Sequence, residues 1–369
     1  MRIITTIWMA GLVLIAPVDL LTAPSAAQTV PAAPSGIQIP PAALNAPLAA
    51  EYRQMISQYL DTWAGQMRQA DRAAVLELRN QLAARFGQYD SVNYRLPFAQ
   101  LAAQKLVPLL DLKDALKQVN VAIALSQMDQ VSIQPALGKM VAHANAAVRF
   151  FGWQGYEGIR MLVLAQGPTF IQQMFDALQT AAANEPSDGV LRAIYPVLAY
   201  DQERPTFVAP EVYDEASRRA LELLGQLWQR QCDQVEQTSV SASVQASVSA
   251  VRAAQVGIRE LHAIAQARQS DRAAQLAVLP LVVAMMNSAA KAYQTSGAEG
   301  LAADELRLLL RDIEETVNLI TRLRQNYLGM ALSGNNPSDR AQAVERAART
   351  WVDQLKGSGY LAEPASQAG

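Results

Sequence analysis

From about Leu48 to Lys356, apolar residues recur at spacings of three and four, cut at short intervals by helix stops. That rhythm confines the chain to packed helices, because a strand would need a period of two. The segment Glu51–Arg68 sets Tyr52, Met55, Ile56, Tyr59, Leu60 and Trp63 on one stripe. Asp71 then opens a second helix with an acid that suits the positive end of the dipole, and Gly87 stops it. Ser91 opens another, with Pro97 near enough to its start to be tolerated or to begin a new one. Lys113 to Met128 continues the pattern with Leu116, Val119, Ile123 and Leu125. Late in the chain, Asp304–Tyr327 carries Leu306, Leu309, Leu310, Ile313, Val317, Ile320 and Tyr327 on one face, with Arg307, Arg311, Glu314, Glu315 and Arg322 mostly turned away.

Composition supports the same reading. Apolar residues make up 51% and aromatics only 6%, so Ala, Leu and Val carry the core, and small Ala side chains let helices approach closely. One stretch is ambiguous by period alone. Gln237–Ala250 alternates apolar and polar residues like a strand, yet a lone strand would leave its backbone groups unpaired. We read it as helix, with Val240, Val244, Val248 and Val251 on one face and a break near Ser239. Leu276–Met286 is apolar throughout, contains Pro280 and is too short to span a bilayer, so it reads as a buried helix bent or begun at the proline.

The N-terminus has the marks of an export leader. Met1-Arg2 is followed by an unbroken apolar run from Ile7 to Ala16, and Ser25-Ala26-Ala27 offers small residues to a signal peptidase. Cleavage after Ala27 would leave a periplasmic or secreted protein with no membrane span. The expected organisation is a leader at 1–27, a Pro/Ala-rich flexible tether at 28–47, helical repeats over 48–204, and a Pro-rich linker at 205–210. A bundle-like helical region at 211–357 and a frayed tail at 358–369 complete it. A single cysteine, Cys232, cannot close an internal disulfide, so core burial must hold the chain.

The most informative segment is Val119–Ile159. Pro135 begins a helix carrying Leu137, Met140 and Val141; a tight turn follows at His143–Asn145; Val148-Arg149 starts the next helix; Gly152, Gly155 and Gly158 come after at a spacing of three. This resembles a HEAT repeat over roughly residues 119–165, with Asp188–Ala199 as a faint echo and Asn145 where an Asp is more usual. The resemblance implies an α-solenoid of stacked helix pairs used as a protein-binding scaffold. Independently of it, one helical pair cannot bury both faces and must stack on others. Asn145 is placed to cap its helix, and the glycines to let a neighbour come close. The fold class expected is therefore all-α: a HEAT-like repeat array followed by longer packed helices.

Little here suggests chemistry. The two histidines, His143 and His262, have no acid or histidine four residues away that would pair on a metal, and no nucleophile elbow, metalloprotease or phosphate-loop motif occurs. No cofactor is called for. Net charge is −2 with no basic run, which offers no footprint for nucleic acid. The expected role is a non-enzymatic scaffold presenting a helical surface to an envelope or extracellular protein, with Arg149, Trp153, Tyr156 and Arg160 as contact residues. The alternative is a glycan-active enzyme using Asp201 and Glu203 as its carboxylate pair.

Overall fold

The computed structural model describes residues 37–200, 203–237, 244–267 and 272–361, all within the unit formed by Ala33–Gly369. Every regular element among them is helical. In order they are α1 (Ala50–Gln69), α2 (Arg72–Phe86), α3 (Val92–Leu106), α4 (Ala115–Ser126), α5 (Gln134–Val141), α6 (Ala146–Gln166) and α7 (Pro168–Asn184). There follow α8 (Asp188–Leu198), α9 (Pro210–Gln237), α10 (Val244–Ala267), α11 (Arg272–Thr295), α12 (Gly300–Thr321), α13 (Tyr327–Leu332) and α14 (Pro337–Gly357). Short 3-10 turns sit at Pro41–Asn45, Val107–Asp111 and Val131–Ile133.

The helices stack in two rows, each helix packing on the one two places along. One row runs α2, α4, α6, α8, α10, α12; the other runs α1, α3, α5, α7, α9, α11 and ends on α14. Side-chain hydrogen bonds between row neighbours measure the repeat directly. Early in the chain they join residues roughly forty positions apart. Arg79 reaches Asn120 across 41 residues, and Lys105 reaches Asp61 across 44. The separation is 36 for Arg160–Pro196, between α6 and α8, and Arg149 reaches Glu185, just before α8, across the same 36 residues. Later it lengthens to 53 for Trp228–Leu281 and for Arg252–Glu305. Partners ascend together, Arg252, Arg259 and His262 meeting Glu305, Asp312 and Thr316, so the row neighbours α10 and α12 are parallel. That is the register a repeated helix-turn-helix must produce: each unit returns the chain to the end where it began.

The same rows continue past the Pro-rich segment, since α8 packs on α10 and α7 on α9. Pro205 to Val208 forms a turn with Val208 buried, and Pro210 opens α9, where its missing N–H costs nothing. Helix α11 is long and apolar enough over Gln275–Thr295 to cross a membrane, but most of that surface is buried against α9, α12 and α14. Pro280 lies on its exposed side. In α10, Val248 and Val251 are buried as the helical reading requires, while Val244 is exposed at the helix start; Val240 and Ser239 lie outside the described residues.

Three expectations are corrected. The second half of the supposed tether is not free: Ile37 and Ile39 are buried, as is Leu48 just after it, and residues 89 to 93 hold the backbone of Ile39 and Leu44. Tyr89 Oη accepts from Ile39 N at 3.0 Å, and Ser91 Oγ and Asn93 Nδ2 both donate to Leu44 O at 2.9 Å. Those three apolar side chains join the hydrophobic core. The beginning of the expected tail is likewise anchored, with Tyr360 Oη donating to Thr321 O at 3.0 Å. And of the three glycines in α6, only two are close-packed. A Cβ on Gly152 would sit 2.9 Å from Met140 Cβ, and one on Gly155 2.5 Å from Leu137 Cδ2, but one on Gly158 would meet nothing within 4 Å.

Buried tryptophans lock adjacent layers. Trp63 Nε1 donates to Leu78 O at 2.8 Å, Trp228 Nε1 to Leu281 O at 2.7 Å, and Trp351 Nε1 to the Glu314 carboxylate at 2.8 Å. Each places a large apolar ring in the core without stranding its donor.

Candidate functional site

The stacking is least complete around α5. This helix has 8 residues where its row neighbours α3 and α7 have 15 and 17. Pro135 fixes its start and the His143–Asn145 turn ends it. It packs mainly on α6 behind it, leaving an open space on each side.

On the α3 side lies a groove of about 660 Å³. Its floor is one face of α3 and the turn beyond: Leu96, Gln100, Ala103, Gln104 and Val107, at steps of four, three, one and three. Val131, Pro135 and Ala136 form the opposite wall, Phe170 closes one end, and Lys139 stands at the rim. Leu96 is 40% exposed and Phe170 37%, and neighbouring Val92 is 65% exposed. Gln134 positions Phe170 from below, donating through Nε2 to its carbonyl at 2.8 Å. Such a groove, apolar along its length with amides and one ammonium at the edge, suits an apolar side-chain row and offers no nucleophile or proton relay.

On the α7 side is a more polar cleft of about 490 Å³, lined among others by His143, Arg149, Asp176, Thr180, Asn184 and Glu185. Its arginine and Glu185 are already spent on one another. Arg149 donates through Nε and Nη2 to both Glu185 oxygens at 2.8 Å, and through Nη1 to the carbonyls of His143 and Ala144 at 2.9 Å. Hydrogen bonding to Glu185 raises the Arg149 pKa further above its ordinary value. Glu185 also accepts from Ser187 N, and Arg230 reaches the Glu185 carbonyl. Asn145 Oδ1 accepts from Ala147 N at 3.0 Å, the cap expected of it, while His143 Nδ1 accepts from Asn145 N. Position 145 suits an Asx side chain because the turn must satisfy the first N–H groups of α6.

The four residues expected to form a contact ridge do not form one. Trp153 is fully buried, Tyr156 is 2% exposed and Arg160 3%. Burial pushes the Tyr156 hydroxyl up to about 12, with Gln134 opposing. Arg160 Nη1 donates to Pro196 O at 2.6 Å and Val197 O at 3.1 Å, and also to Ala199 O, closing the carbonyl end of α8. Its guanidinium lies 4.8 Å above the Tyr200 ring. These side chains tie α6 to α8; only the rim of Arg149 reaches solvent. Sequence reasoning placed arginine and aromatics on one helical stripe but could not see that α8 would end over that stripe.

Glu203 is exposed, and Asp201 lies outside the described residues. Between α10 and α12, a small cleft of about 220 Å³ holds Arg259, His262, Asp312 and Thr316. There His262 Nδ1 lies 3.2 Å from Thr316 Oγ1, and Arg259 Nε donates to Asp312 at 3.4 Å. Among the described residues, no group of three or more His, Cys, Asp or Glu is arranged to hold a metal. Burial pushes the Cys232 thiol up to about 12, which leaves it protonated and unreactive at neutral pH.

No family model and no curated protein matches this chain. Three crystal structures of engineered proteins are similar to it. The first two are each 16% identical and cover 67% of this chain, with 96% and 98% of their own chains and TM-scores of 0.28 and 0.27. The third is 13% identical, covers 84% of this chain and 89% of its own, with a TM-score of 0.26. At that likeness the all-α fold stands on the chain's own two-row packing.

Proposed function

We propose that this chain is an exported, non-enzymatic scaffold of HEAT-like helical repeats that binds another protein of the cell envelope or exterior through the groove between α3 and α5. The observation that carries the reading is the groove itself. It is a row about 16 Å long, from Leu96 to Val107 at the helical rise of about 1.5 Å per residue, in which Leu96, Ala103 and Val107 are apolar and Gln100 and Gln104 present amides. That length suits three turns of an amphipathic helix laid along it. Large apolar side chains left unburied beside a concavity are a common signature of a protein contact. The export half of the reading rests on the Ile7–Ala16 run and Ser25-Ala26-Ala27.

The test is site-specific photocrosslinking in cells, with the reactive residue at Gln104 in the groove or at Leu308, which is 48% exposed on α12. One dominant protein adduct from position 104, absent at 308 and lost in Leu96→Glu, is the expected result. Identical adduct patterns from both positions would sink the groove assignment. Export is checked by the mass of the chain recovered from the envelope fraction, which should begin at Gln28.

A further inference from the structure

The loop from Arg322 to Asn326, between α12 and α13, holds its backbone in a conformation its side chains disfavour. Arg322 has φ 62° and Arg324 φ 54°, both in the left-handed region where glycine sits freely and an L side chain crowds the backbone. Two such residues within three positions persist only where the surroundings over-determine them. Here they do. Asn318 clamps Gln325 from both sides, donating to its carbonyl at 2.7 Å and accepting its N–H at 2.8 Å. The buried Glu314 carboxylate accepts from Leu328 N and Gly329 N, both at 2.8 Å. Tyr360 Oη and an Arg272 N–H bond the carbonyls of Thr321 and Ile320 at the preceding helix end.

This rigid loop therefore presents arginine at the two places where glycine would cost least. Both side chains are exposed, and no hydrogen bond or ion pair holds either guanidinium among the described residues. The sequence carries no acid between Glu315 and Asp339, and Glu314 is already committed to two backbone donors and Trp351. Arg272 adds a third positive charge at the same helix end. We propose that Arg322 and Arg324 form a pre-set docking point for a carboxylate-rich segment of a protein partner. Planar guanidinium forks bind carboxylates in pairs, and a fixed backbone removes part of the ordering cost on binding. The site lies on a different loop from the α3–α5 groove and does not depend on it.

The test uses the purified full chain and a fluorescent decaglutamate peptide as probe, titrated at low and at raised salt. The parent chain should bind the peptide, with affinity falling as salt rises. Arg322→Gly with Arg324→Gly should weaken binding by about tenfold or more while the melting temperature stays level or rises, since glycine relieves the left-handed strain. Arg346→Gln, an exposed arginine on α14, should bind like the parent. Failure of the parent chain to bind, or equal binding by the glycine pair, would overturn the proposal. So would binding confined to vesicles of anionic phospholipid, which would make the loop a membrane contact.

Discussion

The first and second halves of this molecule use one stacking rule at two lengths. Around α6 the helices in register lie 36 residues apart, whereas around α10 the separation is 53. The early units accommodate helices as short as the 8 residues of α5; the late ones use α9, α10 and α11, of 28, 24 and 24. Long helices have more length over which to cover one another, and between α10 and α12 the described residues leave a cleft of about 220 Å³. The short α5 cannot cover α3 and α7, and two clefts open beside it. In a repeat array each unit touches only its neighbours, so a single truncated helix opens the surface locally without weakening distant units.

The contrast can be broken at its tight contacts. A Cβ on Gly257 would enter the Trp228 ring, which is held by its bond to Leu281 O and cannot yield. Gly257→Ala should therefore cost stability by overpacking, on the order of 3 kcal/mol or more. In the early half, Gly155→Leu should lower the melting temperature strongly too, by driving a branched side chain into Leu137 and the backbone of Ser126. Gly158→Ala should instead add up to about 1 kcal/mol of helix propensity. Thermal denaturation of the three variants checks all of this, and a destabilised Gly158→Ala would show that the glycine serves some contact not seen here.

Next in size is the buried ion pair of the early half. Glu185 is almost fully buried, and Glu185→Ala strands the Arg149 guanidinium among carbonyls, at a cost of about 3 kcal/mol. Breaking the exposed Arg218–Glu222 pair on α9 in the same way should change stability far less, because solvent screens both charges. Denaturant midpoints of Glu185→Ala and Glu222→Ala measure both. A smaller effect is expected at the groove, where Ala103→Glu should abolish the crosslink from position 104 while changing stability little, because Ala103 is only half-buried.

The smallest effect concerns pH. Burial raises the carboxyl pKa of Asp312, with Arg259 opposing. An acid whose folded pKa is raised holds its proton more tightly in the folded chain. Stability therefore rises as pH falls through that raised value, and levels off below the ordinary carboxylate value of about 4. Asp312→Asn should flatten this part of the profile, seen by comparing denaturant midpoints at about pH 4 and about pH 7.

Helix periodicity, the Asn145 cap and the apolar stripes of α11 and α12 were legible in the chain, because each depends on residues close in sequence. The end of α12 at Thr321, short of the expected Tyr327, and the burial of Glu314, expected to face outward, were not, because both depend on α13 and α14. The later helices read as a separate bundle because they are longer and their register is 53 residues rather than 36, so they share no sequence period with the first half. The docking of Ile37, Ile39 and Leu48 was hidden among prolines and alanines, since its acceptors and donors come from residues 89 to 93. The contact ridge failed for the same kind of reason. Arg160 is a surface residue on its own helix and becomes a buried clasp only when the carbonyl end of α8 arrives. A groove made by the shortness of one helix leaves no motif at all.

The claim that one parallel array runs through the late half is tested most directly by paired cysteines in a Cys232→Ser background. With cysteines at Arg259 and Asp312, a short bismaleimide should link α10 to α12 rapidly, and with cysteines at Arg252 and Thr316, near opposite ends of the contact, it should not. Linkage of 252 to 316 in place of 259 to 312 would mean that the two helices run antiparallel, and would contradict the repeat account of that half.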